Sequence, residues 1–555
     1  ALLELILVAL AAGCRPYGPP PRFTKAPIVE ANPNRRCPLA AVLRFEADRA
    51  VNTAVAVSDG ERAWELRFGA DRRPADGLPV VGMRPGRDHT IRVTISDPRT
   101  LALAVSKELT FTTPPLPEGA AEFPVIQATP HLRAKMEPGL TLLNPRRRLP
   151  QKVMSRERTT ASAFGRDFGL LVIVNAAGEV VWYCRTDARI SDLNYLPNGH
   201  ILYGTTDQRI IEIDLLGNVV ASWYAAGRPD GEARGTPVQA MTLHHDVDRL
   251  PDGHILALDT QRRRIENYYT SDLDPDAPRK PQWVMGDRVI EFDPSGRVLW
   301  SWSAFDHLDP MRIGYETFSN YWVRRGFPDT LDWSHANGVQ DLPEDDAVLV
   351  NFRYQSCVVK VDRATGAIRW IFGEPSGWPK RLEGKLLKLT KGTWPWHQHS
   401  PVLTERGTLL LFDNGNFRAR PFDDPVPIPQ THSRAVEYRI DERAMTAEQI
   451  WSSNIPGEPQ VVSFAMGSVQ PLPRTGNVLA GYGMILPTDK LDTLTWETRA
   501  RYGSWTRIRE YTRSSPAKVV WELTVTGKAG SEVGWTLFGC QRIPGFLPFQ
   551  PQRRR

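Results

Sequence analysis

His245, His335 and His399 recur at one phase of a repeated pattern. In "TLHHDVDRLPDGHI" His245 stands eight residues before Gly253, and in "WHQHSPVLTERGTLL" His399 stands eight before Gly407. In "DWSHANGVQDLPEDDAVLV" His335 precedes the Asp-Asp turn by ten. The chain holds only 11 histidines in 555 residues, so a shared phase is informative. Arg353 follows His335 by 18 residues, in the next strand-like run. Imidazoles beside a planar guanidinium suit a tetrahedral oxyanion such as sulfate or phosphate, gripped through paired hydrogen bonds. A metal site drawn from His245, Asp246, His335, His397 and His399 is the competing chemistry, any three of these imidazoles with the carboxylate suiting zinc or iron. It leaves Arg353 idle, and a guanidinium beside a cation is unfavourable. His244 shares the phase of His245 closely enough that either could be the working residue.

The elements that must position these side chains are short strands. One phrase keeps returning: a strand, Asp or Asn, a Gly turn, then a strand ending in Trp. It is present in "LLVIVNAAGEVVWY", "IIEIDLLGNVVASW", "VIEFDPSGRVLWSW" and "VVKVDRATGAIRW", with looser copies ending at Trp451 and Trp521. A second phrase of the type "LPNGHIL" or "LPDGHIL" precedes most of them. Self-similarity at this length signals a β-propeller, and six copies imply six blades, with each Trp packing between neighbours. The three histidines then fall at the start of the innermost strand of three blades, at the mouth of the central channel. His200 and His254 belong to the hairpin phrase and read as structural.

The expected organisation is all-β. Residues 1–13 read as a lipoprotein-type signal segment, an apolar run ending in "LAAGC" with Cys14 as the lipidated residue. Residues 14–27 read as a Pro-rich tether, 28–117 as a fibronectin III-like β-sandwich of alternating strands, and 125–555 as a six-bladed β-propeller. That start predicts an exported, periplasmic protein tethered through Cys14. A net charge of +6, with 41% hydrophobic and 24% charged residues, describes a globular chain with no nucleic-acid signature. Cys37, Cys184, Cys357 and Cys540 are widely spaced and form no zinc motif.

"HHDVD…LPDGH", "DWSHANGV" with Arg353 after it, and "WHQHSPV" together resemble the bacterial aryl sulfate sulfotransferases of the PAPS-independent, exported type. The resemblance implies a catalytic propeller that needs no cofactor or metal and acts on an aryl sulfate donor and a phenolic acceptor. It implies His399 as the nucleophile that becomes sulfohistidine, with His245, His335 and Arg353 as its catalytic partners and Asn337 holding sulfuryl oxygens. Trp396 and Tyr354 are candidates for stacking on the aryl ring, and Trp394 is a third. His397 reads as a wall residue beside Trp396. No cysteine pair lies between Trp370 and His399, so a loop disulfide found in some members near the nucleophile is absent here. A metal-dependent hydrolase and a non-catalytic binding propeller are the alternative readings. A quinoprotein dehydrogenase would need more blades and a calcium site.

Overall fold

A computed structural model describes residues 18–150 and 164–546. The signal segment and Cys14 lie outside the described residues. Two sheets form first. Strands Phe23–Ala31, Ala41–Ala47 and Leu78–Val80 make one, and Ala63–Phe68, Asn52–Ser58, Asp88–Ser96, Leu103–Val105 and Leu109–Thr112 make the other. Along Asp88–Ser96 buried and accessible residues alternate, so His89, Ile91, Val93 and Ile95 enter the core while their neighbours face water. The first strand starts at Phe23, inside the stretch read as tether. The Phe23 ring packs edge-on against Phe45, 5.3 Å between centroids, and that apolar contact extends the sheet past the prolines.

Six further sheets follow, each built on a four-stranded antiparallel meander, and three of them add a short parallel strand. Their innermost strands are Gly534–Ile543 in blade 1, Ile190–Tyr195 in blade 2 and His244–Arg249 in blade 3. Ala336–Leu342, His399–Leu403 and Ser468–Pro471 serve blades 4, 5 and 6. Each inner strand touches the next and blade 6 touches blade 1, so the ring is closed. Closure uses both ends of the domain. Gly534–Ile543 pairs with Leu140–Arg148 as the inner strand of blade 1, and Val125–Pro130 pairs with Val519–Thr526 as the outermost strand of blade 6.

The repeated tryptophans tie blade to blade. The indole N–H of Trp182 donates to the Leu215 carbonyl in the next blade, and Trp223 to Pro294, Trp300 to Arg363 and Trp521 to Ala176. Trp370 donates to the Glu442 carboxylate at the same place in the cycle. Trp451 breaks the pattern: its Nε1 is buried without a partner. The sandwich packs on the channel end opposite the histidines. There its core merges with Trp182, Leu193, Ile201 and Leu215, and buried Arg84 bridges Asp59, Glu61 and Glu179. Free Cys37 and Cys184 meet at this junction.

Candidate active site

The inner strands begin at one end of the channel, and the chain is irregular there. Pairing slips between His244 and Val247, between Ala336 and Gly338, and between His399 and Val402. Such bulges re-aim side chains at the rim of a sheet. His245, His335 and His397 also sit at φ of 54°, 49° and 52°, a left-handed region that is costly for a side chain with a Cβ. Three blades therefore deliver strained imidazoles to one mouth. The His245 and His335 rings are 4.8 Å apart, and Tyr354 stacks on His335 at 4.4 Å.

His399 is buried, and its protonation is set by a neighbour. Asn414 donates from Nδ2 to the carbonyls of Ser463 at 2.7 Å and Met466 at 2.9 Å, which fixes the amide's orientation. Its Oδ1 is therefore the atom 2.6 Å from His399 Nδ1. An oxygen there accepts, so Nδ1 carries the proton and the Nε2 lone pair is free. Burial, then the charge of Arg353, holds His399 well below the ordinary histidine range. Substituting Asn414 by leucine removes the tautomer lock without adding charge. The expected result is a loss on the order of 10² in kcat with little change in KM, and the ring nitrogen resonances of His399 should show mixed tautomers.

A second chain supports His245. His244 Nε2 lies 3.2 Å from buried Asp287, and His244 Nδ1 lies 2.7 Å from His245 Nδ1. With His244 Nε2–H donating to the Asp259 carbonyl at 3.4 Å beside that carboxylate, His245 donates through Nδ1 and its Nε2 meets the Tyr321 hydroxyl at 3.2 Å. His245 is thus the member facing the mouth, with His244 behind it. His335 pairs through Nδ1 with Asp332. Burial pushes Asp332 well up and, with Arg353 next, pushes His335 well down.

Arg353 donates from Nη1 to Glu316 at 2.6 Å, and its Nε is buried without a partner. Glu316 also pairs with Arg499 and lies 3.6 Å from His397 Nδ1. Burial opposes its charge, but Arg353 and Arg499 overcome that and hold the carboxyl well below its usual range. Glu316, Tyr321, Asp332, Asn414 and Arg499 were not visible in the sequence reading. Only Asn414 had a usable signal: it follows the second strand of its blade, Thr408–Asp413, as Arg353 follows Ala347–Phe352.

Two expected substrate-binding residues make contacts of their own in this structure. The Asn337 amide donates to the Gln398 carbonyl at 3.2 Å and accepts from Asn351, tying blades 4 and 5 together. The bulge between Ala336 and Gly338 breaks the alternation that would have kept it on the His335 face. Trp396 lines an open groove of about 860 Å³ with Trp394, Lys391 and Arg418, and none of the described ring contacts joins it to the histidines. Tyr354 does stand in the cluster, and so does His397, 5.9 Å from it between centroids. The metal reading meets a different geometry. Among the described residues the only three donor groups converging as metal ligands are Asp252, His254 and Glu291, in the hairpin region of blade 3. Arg363 occupies Glu291 there.

Burial keeps these imidazoles neutral, with His397 pushed down to about 4. Their folded pKa values lie below the unfolded value of about 6.5, so the unfolded chain takes up more protons below that pH. Stability from this source is complete above about pH 6.5 and is lost as pH falls from there toward 4. A urea midpoint that is flat from about pH 7 to 8 and declines below about 6.5 is the expected profile.

Comparison with known proteins decides the family. The arylsulfotransferase (ASST) family model matches residues 127–535. The chain belongs to the arylsulfotransferase family. It is 24% identical over 520 residues to "Arylsulfate sulfotransferase AssT" of Lelliottia amnigena, covering 80% of this chain and 82% of that protein. It is 26% identical over 336 residues to the protein of the same name from Escherichia coli O6:H1, covering 50% and 52%. A solved Bacteroides caccae protein of unknown function, 13% identical, aligns over 73% of this chain and 98% of its own at a TM-score of 0.38. As an arylsulfotransferase the chain is an enzyme, and the histidine mouth lies within the matched residues.

Proposed function

We propose that this arylsulfotransferase moves a sulfuryl group from an aryl sulfate to a phenol through a sulfohistidine on Nε2 of His399. The observation that carries the proposal is the free Nε2 lone pair, created by the Asn414 lock beside a cationic Arg353. In the first half, Nε2 attacks sulfur, the S–O bond to the aryl group breaks, and a phenolate leaves. In the second, the acceptor phenol oxygen attacks sulfur and the N–S bond breaks, regenerating the imidazole. Sulfuryl transfer resembles phosphoryl transfer in depending on positioning and charge stabilisation more than on other covalent help. Arg353 meets the charge on the sulfuryl oxygens. His245, backed by Tyr321, and His335 stand as neutral bases to take the acceptor's proton, and the imidazolium so formed returns it to the leaving phenolate of the next cycle. The printed names of the relatives support an aryl sulfate as donor.

Brief exposure to 4-nitrophenyl sulfate, followed by peptide mapping under alkaline conditions, tests the intermediate. One added sulfuryl mass on the peptide containing His399 is expected, whereas a label confined to the His245 peptide would overturn the assignment. Export with a lipid on Cys14 is part of the same reading. Labelled palmitate should be incorporated by the wild-type chain in a bacterial host, and incorporation that persists in Cys14→Ser would refute the anchor.

A further inference from the structure

The mouth carries more positive charge than one sulfate monoester can use. Arg146 and Arg148 lie on Leu140–Arg148, opposite Thr536 and Gly534 at the start of the inner strand of blade 1. Arg189 immediately precedes the inner strand of blade 2. Arg324 and Arg325 end the short turn Val323–Arg325, in the same insertion as Tyr321 and Glu316. Arg499 reaches in from the insertion that follows Val478–Ile485.

Ring contacts tie Arg325 and Arg146 to the histidines, and a shared carboxylate ties in Arg499. Arg325 sits 3.5 Å from the centre of the Tyr321 ring, whose hydroxyl meets His245. Arg146 lies 5.6 Å from the Phe538 ring, itself 5.9 Å from His245. Arg499 shares Glu316 with Arg353.

Little on the protein neutralises them. Among the described residues, Arg146, Arg148, Arg189, Arg324 and Arg325 make no ion pair with a carboxylate. Arg146 and Arg148 turn an Nη1 toward the sulfurs of Met466 and Met484, at 2.8 and 2.6 Å, which are weak acceptors. Arg189 and Arg325 donate to the Gly165 and Tyr321 carbonyls. The Nε atoms of Arg146 and Arg499 are buried with no partner. Burial and then the surrounding guanidinium groups push Arg148 and Arg189 down to about 10. Leaving charges half-buried and mutually repelling is costly, and a bound anion relieves that cost.

A donor with one sulfate brings a single negative charge, and Arg353 answers it. We infer that the preferred substrates are phenols, or their sulfate esters, bearing a second anionic group on the ring, held by Arg148, Arg189 and Arg324 while the transferred group sits at His399. This rests on the sulfotransferase reading for the ring and the reacting group. The second group is a carboxylate, sulfonate, sulfate or phosphate, since each offers the oxygens a guanidinium fork requires.

Two unreactive probes test it on the full chain by calorimetric titration. Benzene-1,3-disulfonate should bind about tenfold tighter than benzenesulfonate, with a steeper loss of affinity as salt rises. The Arg148→Gln/Arg189→Gln pair should bring the two affinities together. Arg324→Gln, on an exposed turn, narrows the gap even if the double variant folds poorly. Equal affinities for the two probes in the wild-type protein would overturn the inference, whether or not sulfuryl transfer is observed. A dianion preference in a protein that transfers no sulfuryl group would support the anion site and refute the transferase reading. The matching activity readout is kcat/KM for 4-hydroxybenzoate over phenol as acceptor, expected above one and falling toward it in Arg324→Gln.

Discussion

His399→Ala is expected to abolish transfer from 4-nitrophenyl sulfate to phenol, lowering kcat by at least about 10⁴-fold. The size of the effect follows from what the other imidazoles are already doing. His245 meets Tyr321 through Nε2, and His335 meets Asp332 through Nδ1. His397 has Glu316 3.6 Å from Nδ1 and donates its backbone N–H to Ser356 Oγ, with its ring against Tyr354 and Phe417. His399 combines an Nδ1 proton locked by a neutral amide with an unclaimed Nε2, whereas the Nδ1 partner of His335 is a carboxyl that burial pushes well up and that can itself carry the proton. Rapid mixing without acceptor separates a nucleophile from a general base. The wild type should release one equivalent of 4-nitrophenolate in a burst, and His399→Ala should release none. A retained burst would move the covalent step to another residue. The substitution leaves a small cavity beside Asn414, so a melting curve must accompany the rate to show that the mouth is still folded.

The ring of blades was legible because a propeller repeats its chemistry at each turn. Trp182, Trp223, Trp300, Trp370, Trp451 and Trp521 mark the outer strands, and five of the six indoles make the same inter-blade hydrogen bond. Phase also brought His245, His335 and His399 together, since all three stand at the start of an inner strand. It reached Tyr354 through Arg353, its neighbour in sequence. Phase could not read a facing for Trp396, which lies before its inner strand begins, or for Asn337, where a bulge interrupts the alternation. Glu316, Tyr321 and Arg499 come from insertions that occur once, so no second copy existed to align them against. Those insertions add Glu316, Tyr321 and Arg499 around the mouth, while the repeat supplies its frame, its histidines and Arg353.

Arg353→Gln should cost on the order of 10²–10³ in kcat, and the pH profile identifies the cause. In the wild type, burial and the Arg353 cation hold His399 well below the ordinary histidine pKa. Activity limited by free imidazole should therefore be level from about pH 8 down past 6.5. Removing the cation lets the His399 pKa rise toward its ordinary value. It also leaves Glu316 less neutralised, which stabilises protonated His397 beside it. The acidic limb of kcat/KM should then move up in pH, while staying below the ordinary histidine range because burial still opposes the charged imidazole. Adding Glu316→Gln to Arg353→Gln removes the orphaned carboxylate and should move that limb back down without restoring kcat, because the fork that meets the sulfuryl oxygens is still missing. Arg353→Lys keeps the charge and should keep the level profile, yet lose most of the rate, since an ammonium cannot present two parallel N–H groups. A lysine variant with wild-type kcat would mean that Arg353 acts only as a point charge on His399.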